Sequence, residues 1–423
     1  MDEEISHDRL GDALALARDM NGAGGSGRLH ILVLCDRDWT HPQGGGSGAN
    51  ILGQSSRWLA WGNRVSVIAC AYPGCAPYER PHERLEMHRF GTRSTVFPRA
   101  IWRQWRKLVP DADVVLEVIN GITFLTPLWL RTPHVALMNH CHCRHYVEEM
   151  GMEGRIAALA LERAPLRLLY RRTPFVAVSH STAAELVAHG IPREYITVNY
   201  TGLDAGRYGP GPRAKEPTLL YLGRLKRYKH VEEVLDVVSK LPAAVLDIAG
   251  DGDQRPLVER EIERRGLRGR VRLHGAVDER TKLELMQRAW VNLSASRCEG
   301  WGLSVVEAAA CGTPTVAIAA GGLREAIDDR RTGVLVRDVH ELTEWTRRLV
   351  ADSVLRERLG AAALARAQTY TWEAMAATTL RTLQLEHARA HGLPVPFGAV
   401  SPNEDALPEE GKPLPQKGFA RLG

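Results

Sequence analysis

Glu299 and Glu307 stand eight residues apart in a stretch that is otherwise mostly small, apolar or glycine: Trp290 to Pro314 reads WVNLSASRCEGWGLSVVEAAACGTP. Trp290 to Ser294 are apolar and partly β-branched, as a buried parallel strand requires, and Gly300 and Gly302 permit a sharp turn. A helix is predicted from about Leu303 to near Gly312, where glycine suits a left-handed cap. Its first turn, Leu303 and Ser304, leaves amides unpaired beside a partial positive charge, a place for a phosphate. A carboxylate buried in such a helix needs donors, and two neighbouring hydroxyls of a sugar would supply them. Taken alone, two glutamates at this spacing are more simply a solvated loop residue and a partner for the helix dipole. The rest of the chain decides between these readings.

A second constellation lies in YLGRLKRYKHVEEVL, where a strand ends at Gly223 and Arg224 and Lys229 follow at the mouth of a helix. Arginine as a planar fork and lysine as a mobile point charge can together grip a diphosphate and stabilise it as it leaves. HPQGGGSGAN places Gly44, Gly45, Gly46 and Gly48 before a helix that runs to about Trp61. Gly44, Gly46 and Ala49 satisfy the dinucleotide spacing, but the loop after the first strand is too long for that tight turn. The second strand also ends in VIACAY, with no acid for a ribose. MNHCHCRHY gathers His140, Cys141, His142, Cys143 and His145. Alternate histidines on a strand share a face, yet no complementary ligand pair for zinc stands elsewhere. Asp251 with Asp253 and Asp111 with Asp113 match a two-acid metal pattern only loosely, and no metal is expected. Ser179 in VAVSHST is a helix N-cap candidate.

Strands and helices must present these groups. Strand-like runs at 29–36, 64–70, 113–119, 134–140 and 175–179 alternate with helical patterns, and the pattern restarts at 218–223, 244–250, 271–275, 290–294 and 315–319. Apolar, β-branched strands separated by helices imply parallel sheet covered on both faces. The fold class is therefore α/β, two Rossmann-like halves facing across a cleft, with ligands beyond the carboxyl ends of the strands. The expected division is a flexible extension at 1–27, a first domain at 28–204, a glycine- and proline-rich linker at 205–217, a second domain at 218–371, a final helix at 372–390 and a proline-rich disordered tail at 391–423.

A net charge of +5 mildly favours anionic ligands and is too small to indicate nucleic-acid binding. Seven scattered cysteines suggest reduced thiols. With an acidic N-terminus and no long apolar run, a soluble cytoplasmic protein is expected. GRIAALALERAPLRLLYRR (154–172) is basic and amphipathic. Such a helix can lie on an anionic membrane, but the commoner arrangement covers a core while the arginines snorkel, and Pro165 interrupts this one.

The segment around Glu299 and Glu307 resembles the E-x7-E signature of retaining, GT-B-fold glycosyltransferases of family 4, and Arg224 with Lys229 resembles that family's GR-x4-K motif. The resemblance covers roughly residues 28–390 and is weaker in the first half. It implies transfer of a hexose-like group from a nucleoside diphosphate sugar to a small-molecule acceptor with retained anomeric configuration, without a cofactor or metal. The first domain would bind the acceptor, the second the nucleotide sugar, and the last helix would cross back to the first half. Glu299, Arg224, Lys229 and His140 would be catalytic. Gly44, Gly45, Gly46, Gly223, Gly250, Val277, Gly302, Leu303, Ser304 and Glu307 would hold the donor, and His142, His145 and Ser179 the acceptor. VNYTGLD departs from the family's NG-x-D pattern but keeps Asp204. Specialised natural-product (antibiotic) biosynthesis is the expected setting. Two alternatives are an enzyme at the membrane surface acting on a lipid or polysaccharide precursor, and a catalytically silent partner of another transferase.

Overall fold

A computed structural model of the chain describes residues 10–15 and 28–393, apart from Leu108 and Ala205. Most of the expected flexible extension and nearly all of the expected disordered tail lie outside these residues. The first lobe runs β1 (His30–Leu34), α1 (Gly45–Ala60), β2 (Arg64–Ala69), β3 (Tyr78–His82), β4 (Leu85–Arg89), α2 (Val96–Trp105), β5 (Val114–Ile119), a short α3 (Thr126–Trp129), β6 (His134–Met138), α4 (Cys143–Ala158), α5 (Ala164–Leu169), β7 (Phe175–Ala177), α6 (His180–Ala188) and β8 (Ile196–Val198). Its strands are ordered β3-β4-β2-β1-β5-β6-β7-β8 and are parallel except for β3 against β4. The second lobe holds β9 (Thr218–Leu222), β10 (Val245–Ala249), β11 (Val271–Gly275), β12 (Val291–Ser294), α7 (Leu303–Ala310), β13 (Thr315–Ile318) and β14 (Gly333–Val336). Its fully parallel order is β11-β10-β9-β12-β13-β14. In each sheet the chain order reverses beside the first strand, at β1/β5 and β9/β12, which is where an open α/β sheet leaves a crevice.

Alternation along the strands sorts the two faces. Ile31 and Val33 of β1 pack with α1 and with the final helix α8 (Trp372–His391), whereas Leu32 and Leu34 pack with α2. Helix α8 is thus bound to the first sheet. The Trp58 indole donates to the Ala376 carbonyl at 2.9 Å, and buried Arg57 pairs with Glu373 at 2.7 Å and Asp204 at 2.8 Å. Gly53 is required at this crossing, since a Cβ there would stand 2.3 Å from the Trp372 ring.

Three expectations change. Helix α1 begins at Gly45, so Gly45, Gly46 and Gly48 belong to its first turn rather than to a loop before it. Strand β6 ends at Met138, so His140 and His142 do not alternate on a strand. The basic run at 154–172 is broken by a π-helical turn, Leu159–Arg163, and covers the core only in part: Leu166 and Tyr170 are buried, whereas Ile156, Leu159 and Leu168 face solvent.

Glu117 points from the middle of β5 into the core, where it accepts from the Phe124 amide at 2.6 Å, from the Tyr170 hydroxyl at 2.8 Å and from Thr126. These donors hold the turn that follows β5. Burial pushes its carboxyl up to about 7. A raised acid favours the folded state most when protonated, so its contribution is full below about 4.5 and is lost as pH rises through 7. The stability advantage of the natural chain over Glu117→Gln, read from urea midpoints at several pH values, should therefore shrink between pH 4.5 and 7. A constant difference would contradict it.

Candidate active site in the cleft between the lobes

The carboxyl ends of both sheets open onto one cleft with a cavity of about 460 Å³. The first lobe contributes Arg37 and His41 after β1, Asn120 after β5, and Asn139 with His140 after β6. The second contributes Gly223, Arg224 and Lys229 after β9, and Glu299 to Glu307 after β12. Lys229 donates to Glu299, both side chains being largely buried. Burial would lower the lysine's pKa, but the facing carboxylate outweighs it, so the net shift is upward and the ammonium stays charged. Arg224 donates to the Tyr228 hydroxyl at 3.1 Å. Across the cleft Arg37 is fixed by Asp36 at 2.9 Å and by the Gln43 carbonyl at 2.8 Å. Burial lowers its pKa, Asp36 opposes this, and the nearby cations Arg93 and Arg224 lower it further. Guanidinium groups from both lobes thus feel each other across the opening, a field suited to an anion.

Gly302 adopts a left-handed conformation (φ 90°) and opens α7, whose first residues Leu303 and Ser304 line the cleft with it. One turn on, Glu307 accepts from the Tyr208 hydroxyl at 2.8 Å and from Lys282 at 2.9 Å. Lys282 also pairs with Glu279, and the two acids raise its pKa against the lowering effect of burial.

The cleft is lined by Glu299, Arg224, Lys229, His140, Gly44, Gly45, Gly46, Gly223, Gly302, Leu303, Ser304 and Glu307, all singled out from the sequence. Gly250, Val277, His142 and Ser179 do not line it. Gly250 lies behind Gly223, whose carbonyl would be 2.0 Å from any Cβ at that position, and Val277 packs on the core beside Leu220 and Leu285. The His142 ring stacks on that of His140 at 4.1 Å, and its amide is bound by buried Glu162. Ser179 is spent capping α6, accepting from the Thr182 amide at 3.0 Å. The side chain of His145 is outside the described residues. Among the described residues no group of three or more His, Cys, Asp or Glu is placed to hold a metal ion, and no helix is long and apolar enough to cross a membrane. Sequence reasoning missed Arg37, Tyr208 and Lys282. Tyr208 sits inside a linker and Lys282 in an ordinary amphipathic helix, so nothing local marks them.

Two family models match consecutive parts of the chain: glycosyltransferase family 4 over residues 44–207 and glycosyl transferases group 1 over 207–366. The chain belongs to the group 1 glycosyltransferases. Among curated relatives, a D-inositol 3-phosphate glycosyltransferase from Xylanimonas cellulosilytica is 37% identical over 172 residues, 39% of this chain and 41% of the relative. The chain spans about half the length of the first curated relatives it matches. Two solved structures share the architecture. Sucrose-phosphate synthase from Thermosynechococcus elongatus has a TM-score of 0.72 at 21% identity, covering 84% of this chain and 98% of that one. HepE from Anabaena in complex with UDP-glucose has a TM-score of 0.68 at 19% identity, covering 84% and 100%. The fold is GT-B.

In this group 1 glycosyltransferase a carboxylate, that of Glu325, bridges the two lobes. Glu325, in the short helix Leu323–Ala326 of the second lobe, reaches the N-terminus of α6 in the first. It accepts from the amides of His180 at 2.7 Å and Ser181 at 2.8 Å, the Ser181 hydroxyl at 2.7 Å and the Tyr200 hydroxyl at 3.2 Å. An anion at a helix N-terminus meets both free amides and the positive end of the dipole. Beside it Tyr200 stacks on Trp301 at 4.5 Å. The backbones meet at Gly300, where a Cβ would lie 1.8 Å from the Asn139 carbonyl oxygen. Glu325→Ala removes charge-assisted hydrogen bonds worth on the order of 3 kcal/mol together. Small-angle scattering should then show a larger radius of gyration as the lobes part; an unchanged radius would show that this carboxylate does not hold them.

Proposed function

We propose that the chain is a retaining glycosyltransferase that moves a hexose-like group from a nucleoside diphosphate sugar to a hydroxyl of a small-molecule acceptor. The observation that carries this is Arg224. Of the cations lining the cleft, Arg37, Arg207, Lys229 and Lys282 each have a carboxylate partner, whereas Arg224 has none among the described residues. An unneutralised guanidinium beside the amides of Gly302 to Ser304 and opposite Arg37 suits a diphosphate. The likeness to a structure solved with UDP-glucose makes that compound the first donor to test.

In the reaction as proposed, the bond from the anomeric carbon to the phosphate oxygen breaks while a bond from that carbon to the acceptor oxygen forms on the same face. The acceptor proton passes to the departing phosphate. Arg224, Lys229 and the α7 amides neutralise the charge that grows on the leaving group, where fixed donors act without reorganising. Glu299 takes a sugar hydroxyl, and Glu307 the ribose hydroxyls in exchange for Tyr208 and Lys282. His140 approaches the sugar from the first lobe, braced by the His142 ring.

The acceptor side presents Trp39, His41 and Asn120, donors around one aromatic face. This suits a polyhydroxylated small molecule, and the D-inositol 3-phosphate glycosyltransferases among the relatives make a cyclitol or its phosphate the first choice. With donor and acceptor supplied, the anomeric proton of the product, followed by NMR, should report the configuration of the donor. Glu299→Gln should lower kcat/KM by roughly 100-fold. An inverted product would refute the mechanism, and absence of turnover across donors would favour the silent partner.

A further inference from the structure

One face of the first sheet is covered by α2, α3 and α5. Leu32, Leu34 and Val115 pack on Phe97 and Ala100 of α2 and on Trp129 of α3, while Ala136 and Met138 pack on Leu166 of α5. Helix α4 leads into α5 through the π-helical turn. The outer side of this layer is unusual for a soluble surface. Of the fourteen large apolar residues exposed among the described residues, ten lie on this layer or on α4 and the π-helical turn that lead into it, including Trp102, Trp105, Leu128, Ile156, Leu159 and Leu168. Trp105 is 85% exposed. Scattered apolar residues need no explanation, but a concentration on one layer marks an interaction surface.

The charge on the same layer is strongly one-sided. Segments 96–107, 126–131 and 143–172 carry eleven Lys and Arg against four Asp and Glu, a net charge of +7 where the whole chain has +5. Arg99, Arg106, Arg155, Arg163 and Arg167 are exposed and form no ion pair among the described residues. A second copy of the chain is a poor occupant, because a two-fold contact would set this cationic surface against itself. A surface that offers negative charge and accepts partly immersed tryptophan and leucine matches both features.

We propose that this helical layer docks on an anionic lipid surface, with Trp102, Trp105, Ile156, Leu159 and Leu168 entering the interfacial region and the arginines pairing with headgroup phosphates. The docking rests on the surface alone and does not depend on the reaction proposed above. Helix α4 also packs against the turn Arg227–Lys229 that carries a cleft lysine, so the docked face adjoins the site.

The test is co-sedimentation of the full chain with vesicles of phosphatidylcholine alone and of equal parts phosphatidylcholine and phosphatidylglycerol. The chain should pellet with the mixed vesicles and not with the neutral ones, and salt should release it. Trp105→Ser and Leu168→Ser alter exposed side chains, so the fold survives, and each should weaken partitioning about tenfold. Arg163→Gln combined with Arg167→Gln should weaken it about 30-fold. Failure to pellet with the mixed vesicles would overturn the proposal. So would equal pelleting with both kinds, or a dimer in solution that Trp105→Ser dissociates.

Discussion

Everything in the cleft depends on two parallel sheets presenting their carboxyl ends to each other at a fixed separation. The Glu325 carboxylate on the α6 amides is the contact that spans the gap most directly, and the Tyr200–Trp301 stack and the Gly300–Asn139 approach lie beside it. Helix α8 fixes the lobes from behind by returning to the first sheet. Only with this apposition can Arg37 from one lobe and Arg224 from the other act on the same anion. An anion bound between them would in turn favour the clasped arrangement, since each lobe alone offers only part of the neutralising charge.

Charge balance within the cleft follows one scheme. Glu299 is paired with Lys229, and Glu307 with Lys282 and Tyr208, so neither acid lies buried without a donor. Unpartnered carboxylates there would be costly. A sugar nucleotide brings hydroxyl donors and diphosphate acceptors together, and so could replace both halves of these pairs at once: acids pass to hydroxyls and cations to phosphates. Such an exchange changes little in total charge pairing while committing every group to the ligand. Arg224, without a carboxylate to leave, would gain most from the exchange.

Much of this was legible in the sequence because its causes are local. Buried parallel strands declare themselves as β-branched apolar runs, and the residues at their carboxyl ends, Gly223, Arg224 and Glu299, follow directly from the strand boundaries. The elements that escaped notice were short or placed at edges. Strand β3 contains Pro81, β4 alternates between buried and half-exposed positions, and β8 spans three residues. Missed site residues were those whose role depends on distant chain: Tyr208 reaches Glu307 across 99 positions, and Arg37 faces Arg224 only because the lobes meet. Glu162, buried under the His142 amide, was hidden in a basic helical run whose period gave no sign of the π-helical turn.

The most direct test of the central claim is calorimetric titration with a nucleoside diphosphate in the presence of a chelator. Side chains and amides neutralising the diphosphate without a divalent ion predict binding that the chelator leaves intact. They also predict that Arg224→Ala weakens it by about tenfold or more and that rising salt weakens it too. Binding that vanishes with the chelator, or that is the same in Arg224→Ala as in the natural chain, would contradict the account.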